Sequence, residues 1–361
     1  MKLLFVAPSF GKGGAERVIS ILSDKLSERG HDVCLAVFNT VRPPLAYDLN
    51  PKVKVVYVTS HRFTKPKQIK ASLGALAACF RDEKPDVVLS FTNVVGAQCA
   101  IACKRMKIPF VFSERNDPRM LLRGTKARLF QKLLLLNLRY AVFQTTGAKN
   151  IYPKRVRKRS VVILNPISDK MPPAYEGERK KEIITVGRLE KQKRQDLLIR
   201  AFSLIAPQHP DYCLKLYGEG TLRPQLAALI DELGLGERVF LMGNRDDVFS
   251  YMQDAEIFAF TSDYEGIPNA LIEAMVLGLP CVSTRCSPGG AEELIVHEEN
   301  GLLTPCGDVE AFAAGMERLL SDPALRDALG KQATHLRARV QVEQIVDDWE
   351  QYLQKVVNYA K

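Results

Sequence analysis

KLLFVAPSFGKGGAERVISILSDKLSERG, residues 2–30, runs from a short apolar stretch through a glycine-rich turn into apolar residues at helical spacing. An apolar run without alternation, closed by Pro8, is the pattern of a strand covered on both faces. Gly11, Gly13 and Gly14 then turn the chain into an amphipathic helix. Strand, glycine turn and helix together form the first step of a parallel, doubly wound sheet. VCLAVF, VKVVYV, DVVLSF, PFVFSE and AVFQTT read as further strands, and SLGALAACFRDEK as a second amphipathic helix.

NPISDKMPPAYEGERKKE, residues 165–182, gathers proline, glycine and charge without periodicity, so residues 166–182 are expected to link two domains. Beyond it the alternation restarts. EIITVG, YCLKLYG, RVFLMG, EIFAFTS and LPCVST read as strands, with helices expected near 195–206, 221–234, 268–278 and 308–320. The expected organisation is α/β throughout: a doubly wound domain at 1–165, a second at 183–340, and an amphipathic helix at 341–361. That last helix, VEQIVDDWEQYLQKVVNYAK, repeats apolar residues around Trp349, Leu353 and Val356 or Val357, and must dock on one of the domains. Two domains agree with a length of 361 residues and 46% hydrophobic content.

Composition narrows the function. The apolar start stops at Pro8 without a small-residue cleavage site, and no run of about 18 apolar residues follows, so neither a signal peptide nor a membrane span is expected. Eight cysteines without a CxxC pair fit reduced, buried thiols of a cytosolic protein. The net charge of +10 hides an asymmetry: residues 1–170 carry 31 Lys and Arg against 11 Asp and Glu, residues 171–361 carry 20 against 30. A first half so basic implies a polyanionic partner, whether nucleic acid, anionic membrane or phosphorylated substrate.

Three motifs stand where strands open into helices. The first is the turn holding Gly13 and Gly14, which allows close backbone approach to an anion at a helix start. It is neither GxGxxG, since Glu16 replaces the third glycine, nor a P-loop. The second is TVGRLEKQKRQDLLI, in which Arg188 and Lys193 could hold a diphosphate. A solvated basic loop including Lys191 and Arg194 is the alternative. The third is DYEGIPNALIEAM, residues 263–275, with Glu265 in a loop and Glu273 inside the following helix, eight positions apart. Pro268 suits the first helical turn. The amides of Gly266 and Ile267 would face an anion there, Glu273 could accept from vicinal hydroxyls and Glu265 from a sugar hydroxyl.

Glu265 to Glu273 resembles the EX7E motif of retaining family 4 glycosyltransferases of GT-B architecture. GGAER after the first strand and GRLEKQK at the head of the second domain match that family's other signatures in order. The resemblance implies two facing Rossmann-like domains with a cleft between them and a UDP-linked nucleotide-sugar donor, whose uracil would lie near Gly243 and Asn244. It also implies donor binding by Gly13, Gly14, Arg188, Lys193, Glu265, Gly266, Ile267, Pro268, Asn269 and Glu273. Arg188 and Lys193 would neutralise the leaving diphosphate, with Glu265 at the transferred sugar, and configuration would be retained. No metal or other cofactor is implied, and the chain has no DxD pair. One departure is FVFSERNDPR, where many relatives carry histidine and this chain has Arg115. Arg115 or Asn116 would then touch sugar or acceptor, unless Arg115 pairs with Glu114 or Asp117.

The basic half bears on the acceptor. SHRFTKPKQIKASL offers Arg62, Lys65, Lys67 and Lys70 as contacts to a lipid diphosphate, and RMLLRGTKARLFQKLLLLNLRY interleaves cations with leucines. Either stretch can be a core-packed helix with a basic edge; together they favour an anionic bilayer. Members of the family that extend glycans on polyprenyl diphosphate are similar to this chain. They imply a UDP-sugar donor, a polyprenyl diphosphate-linked glycan acceptor, and a cytoplasmic position peripheral on the inner face of the cell membrane. A UDP-sugar epimerase of the same architecture and a transferase to a soluble acceptor are the alternatives. A nucleic-acid partner lacks aromatic interleaving or a helix-turn-helix pattern and leaves both glutamates unexplained.

Overall fold

The computed structural model describes residues 1–11, 13–38, 45–58, 66–120 and 125–360. It divides into two compact units, one of residues 1–166 with 342–361 and the other of residues 167–341.

Unit 1 is built on seven parallel strands: β1 (Lys2–Ala7), β2 (Asp32–Val37), β3 (Lys54–Tyr57), β4 (Val87–Ser90), β5 (Phe110–Ser113), β6 (Tyr140–Phe143) and β7 (Ser160–Val162). Their order, β3-β2-β1-β4-β5-β6-β7, reverses direction of growth at β1, as in a doubly wound sheet. The helices are α1 (Gly14–Glu28), α2 (Pro66–Glu83), α3 (Asn93–Met106), α4 (Thr125–Asn137), α5 (Thr146–Ile151) and α6 (Lys154–Arg157). Leu3, Leu4, Phe5 and Val6 are wholly buried, the consequence of helices covering both faces of the sheet.

Unit 2 holds six parallel strands: β8 (Lys180–Val186), β9 (Cys213–Tyr217), β10 (Val239–Gly243), β11 (Ala255–Phe260), β12 (Cys281–Thr284) and β13 (Leu302–Thr304). Their order is β10-β9-β8-β11-β12-β13. Its helices are α7 (Gln195–Ile205), α8 (Arg223–Glu232), α9 (Val248–Met252), α10 (Asn269–Val276), α11 (Val309–Ser321), α12 (Pro323–Ala333) and α13 (Leu336–Val340). The eleven longer strands coincide with apolar runs in the sequence. β7 and β13 do not, because three residues at a sheet margin carry no detectable period.

Residues 167–179 pack on unit 2: the Ile167 amide donates to the Val340 carbonyl, and that of Tyr175 to Leu277. The last helix, α14 (Val342–Ala360), returns to unit 1. Trp349, Leu353 and Val356 are wholly buried there. Arg29 donates to Glu343, Asp347 and Glu350 of α14 at 2.6–2.9 Å, and the Tyr352 hydroxyl donates to the carbonyls of Ala141 and Arg159. All eight cysteines are free thiols, and Cys306 is exposed. Among the described residues no helix is long and apolar enough to cross a membrane.

Candidate active site

The carboxyl ends of β8 and β11 bring the central motifs of unit 2 together. After β8, Gly187 turns the chain and a 3-10 turn at Lys191–Lys193 precedes α7. Lys193 folds back along Gly187, within 4 Å of where a Cβ would stand, so a side chain there would meet it. Its Nζ lies 5.2 Å from the centre of the Phe260 ring and 2.6 Å from Glu265 Oε1. The pair is largely shielded, 17% and 15% exposed, so its attraction is screened less than that of a surface pair. Arg188 differs: its guanidinium is exposed and has no partner among the described residues. One cation is thus already committed to a carboxylate and the other is open.

Gln192, which the sequence reading passed over, fixes this arrangement. Its Nε2 donates to Glu265 Oε1 at 2.8 Å and to the Tyr264 carbonyl at 2.7 Å. The Asp263 amide donates to the Gln192 carbonyl, and the Thr261 hydroxyl to the Lys193 carbonyl, both at 2.9 Å. The 3-10 turn is therefore zipped to the loop carrying Glu265 by side chains and backbone alike. On the other side, the Glu265 amide donates to the Ser287 carbonyl at 2.7 Å, and a Cβ on Gly290 would collide with the Gly266 carbonyl. The segment CSPGG after β12 was also missed; its only sequence signal is the Pro-Gly turn chemistry.

Pro268 is the residue before α10, a cap with φ −77° and ψ 106°, not a member of its first turn as expected. Extended ψ at that position lets the chain leave the loop before helical geometry begins. Asn269 is the first helical residue, and Glu273, 8% exposed, is the fifth, just over one turn in. Gly266 and Ile267 are buried in the approach to the helix. Gly243 ends β10 with φ +71°, a conformation glycine adopts without strain, and its carbonyl accepts from the Gly218 amide at 2.9 Å. Asn244 follows, exposed. Gly218 and Gly220, in the turn after β9, lie so close to Gly187 and the Leu189 backbone that no Cβ fits at either position. The turns after β8, β9 and β10 thus stack backbone on backbone.

Unit 1 places its glycine turn at the carboxyl end of β1. Gly13 caps α1 with extended backbone, its carbonyl accepting from the Arg17 amide and the Tyr47 hydroxyl, and Gly14 begins the helix. The Glu16 carboxylate folds over Gly13, so the helix start faces a side-chain anion of its own. At the end of β5, Arg115 pairs with neither carboxylate considered for it. Its Nη1 donates to Asn165 Oδ1 at 2.7 Å, and the guanidinium lies over Phe91 at 4.6 Å and Trp349 at 5.7 Å. Its Nε and Nη2 are buried without partners, and burial lowers its pKa to about 9. Asp117 takes Arg119 instead. Asn116 is half-buried, its amide donating to Glu114 and its Oδ1 accepting from the Asp117 amide. Of the proposed lipid-diphosphate contacts, Arg62 and Lys65 and the side chain of Lys67 lie outside the described residues, while Lys70 is exposed on α2.

Glu114 is buried at 3% exposure and accepts from the Tyr152 hydroxyl at 2.7 Å and the Arg115 amide at 3.0 Å. Desolvation raises its pKa from 4.5 to about 7. A carboxyl whose folded pKa lies above its unfolded one stabilises the fold below the unfolded value, and that contribution is lost as pH rises through the folded value. Wild-type stability should therefore fall by up to about 3 kcal/mol between pH 4.5 and 7 from this group alone. Urea unfolding across that range should show the loss in wild type and not in Glu114→Gln; parallel curves for the two proteins would contradict it.

Among the described residues no three His, Cys, Asp or Glu stand together as a metal site. The arrangement in unit 2 offers an exposed cation, a second cation held on a carboxylate, and a buried carboxylate one turn into a helix. Cations of this kind can hold an anion, and carboxylates can accept from hydroxyls.

Comparison with known proteins places the chain in a family. The family model "Glycosyltransferase Family 4" matches residues 12–170 and "Glycosyl transferases group 1" matches residues 168–336. The chain is 26% identical, over 99% of each chain, to the Campylobacter jejuni GalNAc-alpha-(1->4)-GalNAc-alpha-(1->3)-diNAcBac-PP-undecaprenol alpha-1,4-N-acetyl-D-galactosaminyltransferase. It is 29% identical, over 90% of this chain and 92% of the relative, to the same organism's N-acetylgalactosamine-N,N'-diacetylbacillosaminyl-diphospho-undecaprenol 4-alpha-N-acetylgalactosaminyltransferase. Among solved structures, Anabaena Alr3699/HepE in complex with UDP superposes with a TM-score of 0.81 at 20% identity, covering 98% of this chain and 100% of that one. With two parallel Rossmann-like sheets and both family models matched in order along it, the chain belongs to the glycosyltransferases of GT-B fold, of the family 4 kind.

Proposed function

We propose that this glycosyltransferase moves a hexose or N-acetylhexosamine from a UDP-sugar to a polyprenyl diphosphate-linked oligosaccharide, with retention and without a metal. The observation that carries the reading is the pairing of Lys193 with Glu265 beside the open guanidinium of Arg188. The bond from the sugar's anomeric carbon to the diphosphate breaks, and negative charge grows on the departing phosphate oxygens. Lys193 and Arg188 meet that charge, and Lys193 can do so only by sharing its bond to Glu265. Glu265, with its charge partly released, then faces the sugar as positive character develops at its anomeric carbon. The acceptor hydroxyl forms the new bond on the face the diphosphate leaves, and its proton passes to the leaving group. The substrates in the names of the two Campylobacter relatives support the lipid-linked acceptor, and UDP in the Anabaena structure supports the donor.

A panel of UDP-sugars with a polyprenyl diphosphate glycan, read by mass spectrometry, tests this reading. One added sugar residue on the lipid-linked acceptor is expected. A new sugar nucleotide formed from UDP-sugar alone would mean an epimerase.

The diol role of Glu273 has its own test. Glu273→Gln keeps the shape and removes the charged acceptor, so UDP affinity should fall about 10- to 100-fold in calorimetric titration. A change below about threefold would leave Glu273 a structural residue of α10.

A further inference from the structure

We infer that unit 1 holds an internal binding site for a small monovalent anion, of the size of chloride or formate, where Arg115 meets Trp349 of α14. Among the described residues no carboxylate pairs with the Arg115 side chain. Its hydrogen bond runs from Nη1 to Asn165 Oδ1, a neutral acceptor that also takes the Gln144 amide at 2.6 Å. Glu114, the residue before it, gives its oxygens to the Tyr152 hydroxyl and to the backbone amides of Arg115 and Asn116. Nε and Nη2 of Arg115 are buried without a partner, and together they form the edge of a guanidinium that holds an anion by two parallel bonds.

Two more groups in the same condition stand close by. Trp349 Nε1 is buried and unpartnered, on a ring 5.7 Å from the Arg115 guanidinium carbon. Ser113 Oγ, on β5 two residues before Arg115, is buried and unpartnered as well. An indole N–H and a guanidinium only donate, so no rearrangement among them satisfies any of these three nitrogens. An acceptor is the complement they call for, and beside a buried cation a negatively charged one offsets the cost of desolvation. The lowering of the Arg115 pKa to about 9 has the same origin, a charge taken out of water. Burial also sets the size. Phe91 and Trp349 are 4% and 0% exposed, which suits an ion and not an extended ligand, and one guanidinium matches one negative charge. Arg115 as a whole is half-buried, which gives a small ion a way in. Held there, the ion would join the end of β5 to α14. The inference rests on none of the groups of the proposed reaction.

Trp349 is the only tryptophan of the chain, so its fluorescence reports on this place alone. The full chain is titrated with sodium iodide, with ionic strength held constant by sodium gluconate. A pH of 6 keeps Glu114, whose pKa is about 7, mostly uncharged. A wholly buried indole is shielded from collisions with iodide, so quenching that saturates marks a bound ion. Saturation is expected in wild type, with chloride or formate displacing the iodide; the better competitor tells a halide site from a carboxylate site. Arg115→Gln should weaken iodide binding at least about 10-fold. The melting temperature of wild type in gluconate should rise with added chloride or formate and level off. That readout and the wild-type quenching curve decide the matter even where Arg115→Gln does not fold. Quenching that stays linear in iodide, with a melting temperature that neither anion moves, would overturn the inference and leave water or the ring faces as partners of these nitrogens. Saturable quenching that a folded Arg115→Gln retains in full would overturn it too.

Discussion

Lys193→Ala is expected to lower the turnover number of sugar transfer about 10³-fold, and Arg188→Ala about 10²-fold. Removal of one group that stabilises developing charge costs about 10²–10³ in kcat, and a largely shielded cation belongs at the upper end. Lys193 is 17% exposed and held against Phe260 and Glu265, so water replaces it poorly; Arg188 is exposed, and solvent recovers part of what it supplied. The two effects should fall short of multiplying in the double variant, because in the proposed reaction both cations meet the same leaving group. Steady-state kinetics with saturating donor give the answer. If Lys193→Ala keeps kcat within about fivefold of wild type, its bond to Glu265 is a structural latch and the leaving-group role is lost.

Trp349→Ala should destabilise the protein by about 3–5 kcal/mol, the range for a fully buried large aromatic. Trp349 is wholly buried, its ring stacks on Phe91 at 5.8 Å, and Arg115 lies over both rings. Truncation opens a cavity and strips one ring from a guanidinium that already has two unpartnered nitrogens. The urea midpoint at pH 7 should fall accordingly, and a loss under about 1 kcal/mol would show that α14 repacks around the gap. Trp349→Phe should recover much of the loss, since Phe refills most of the volume.

The strands that decide the fold were legible because parallel strands buried on both faces are written as continuous apolar runs, as in KLLFVAP and EIFAFTS. β7 and β13 were not, since three residues supply no period. In the site, Glu265 and Glu273 were legible because they sit on one short loop and helix, where spacing maps directly onto geometry. The bond from Lys193 to Glu265 joins residues 72 positions apart and depends on how β8 and β11 align, which no local pattern records. Gln192 looked like one polar residue between two lysines; only the fold shows its amide reaching Glu265 and Tyr264. Arg115 was open between two carboxylates in sequence, and the ring faces that hold it come from β4's end and from α14, 234 residues later for Trp349.

The return of α14 to unit 1 sets an order on biosynthesis. On the ribosome, residues 167–341 are made after the body of unit 1 and before the helix that covers it. At roughly 5–20 residues per second, the nascent first sheet waits about 10–35 s with Phe91 and the end of β4 still uncovered by Trp349. Unit 2 gains its last residue only at the end of that interval, roughly 1–4 s before α14 is complete, so the two units finish folding nearly together. Exposure to chaperones, and to proteases that recognise uncovered aromatic surface, therefore concentrates on the half that is synthesised first.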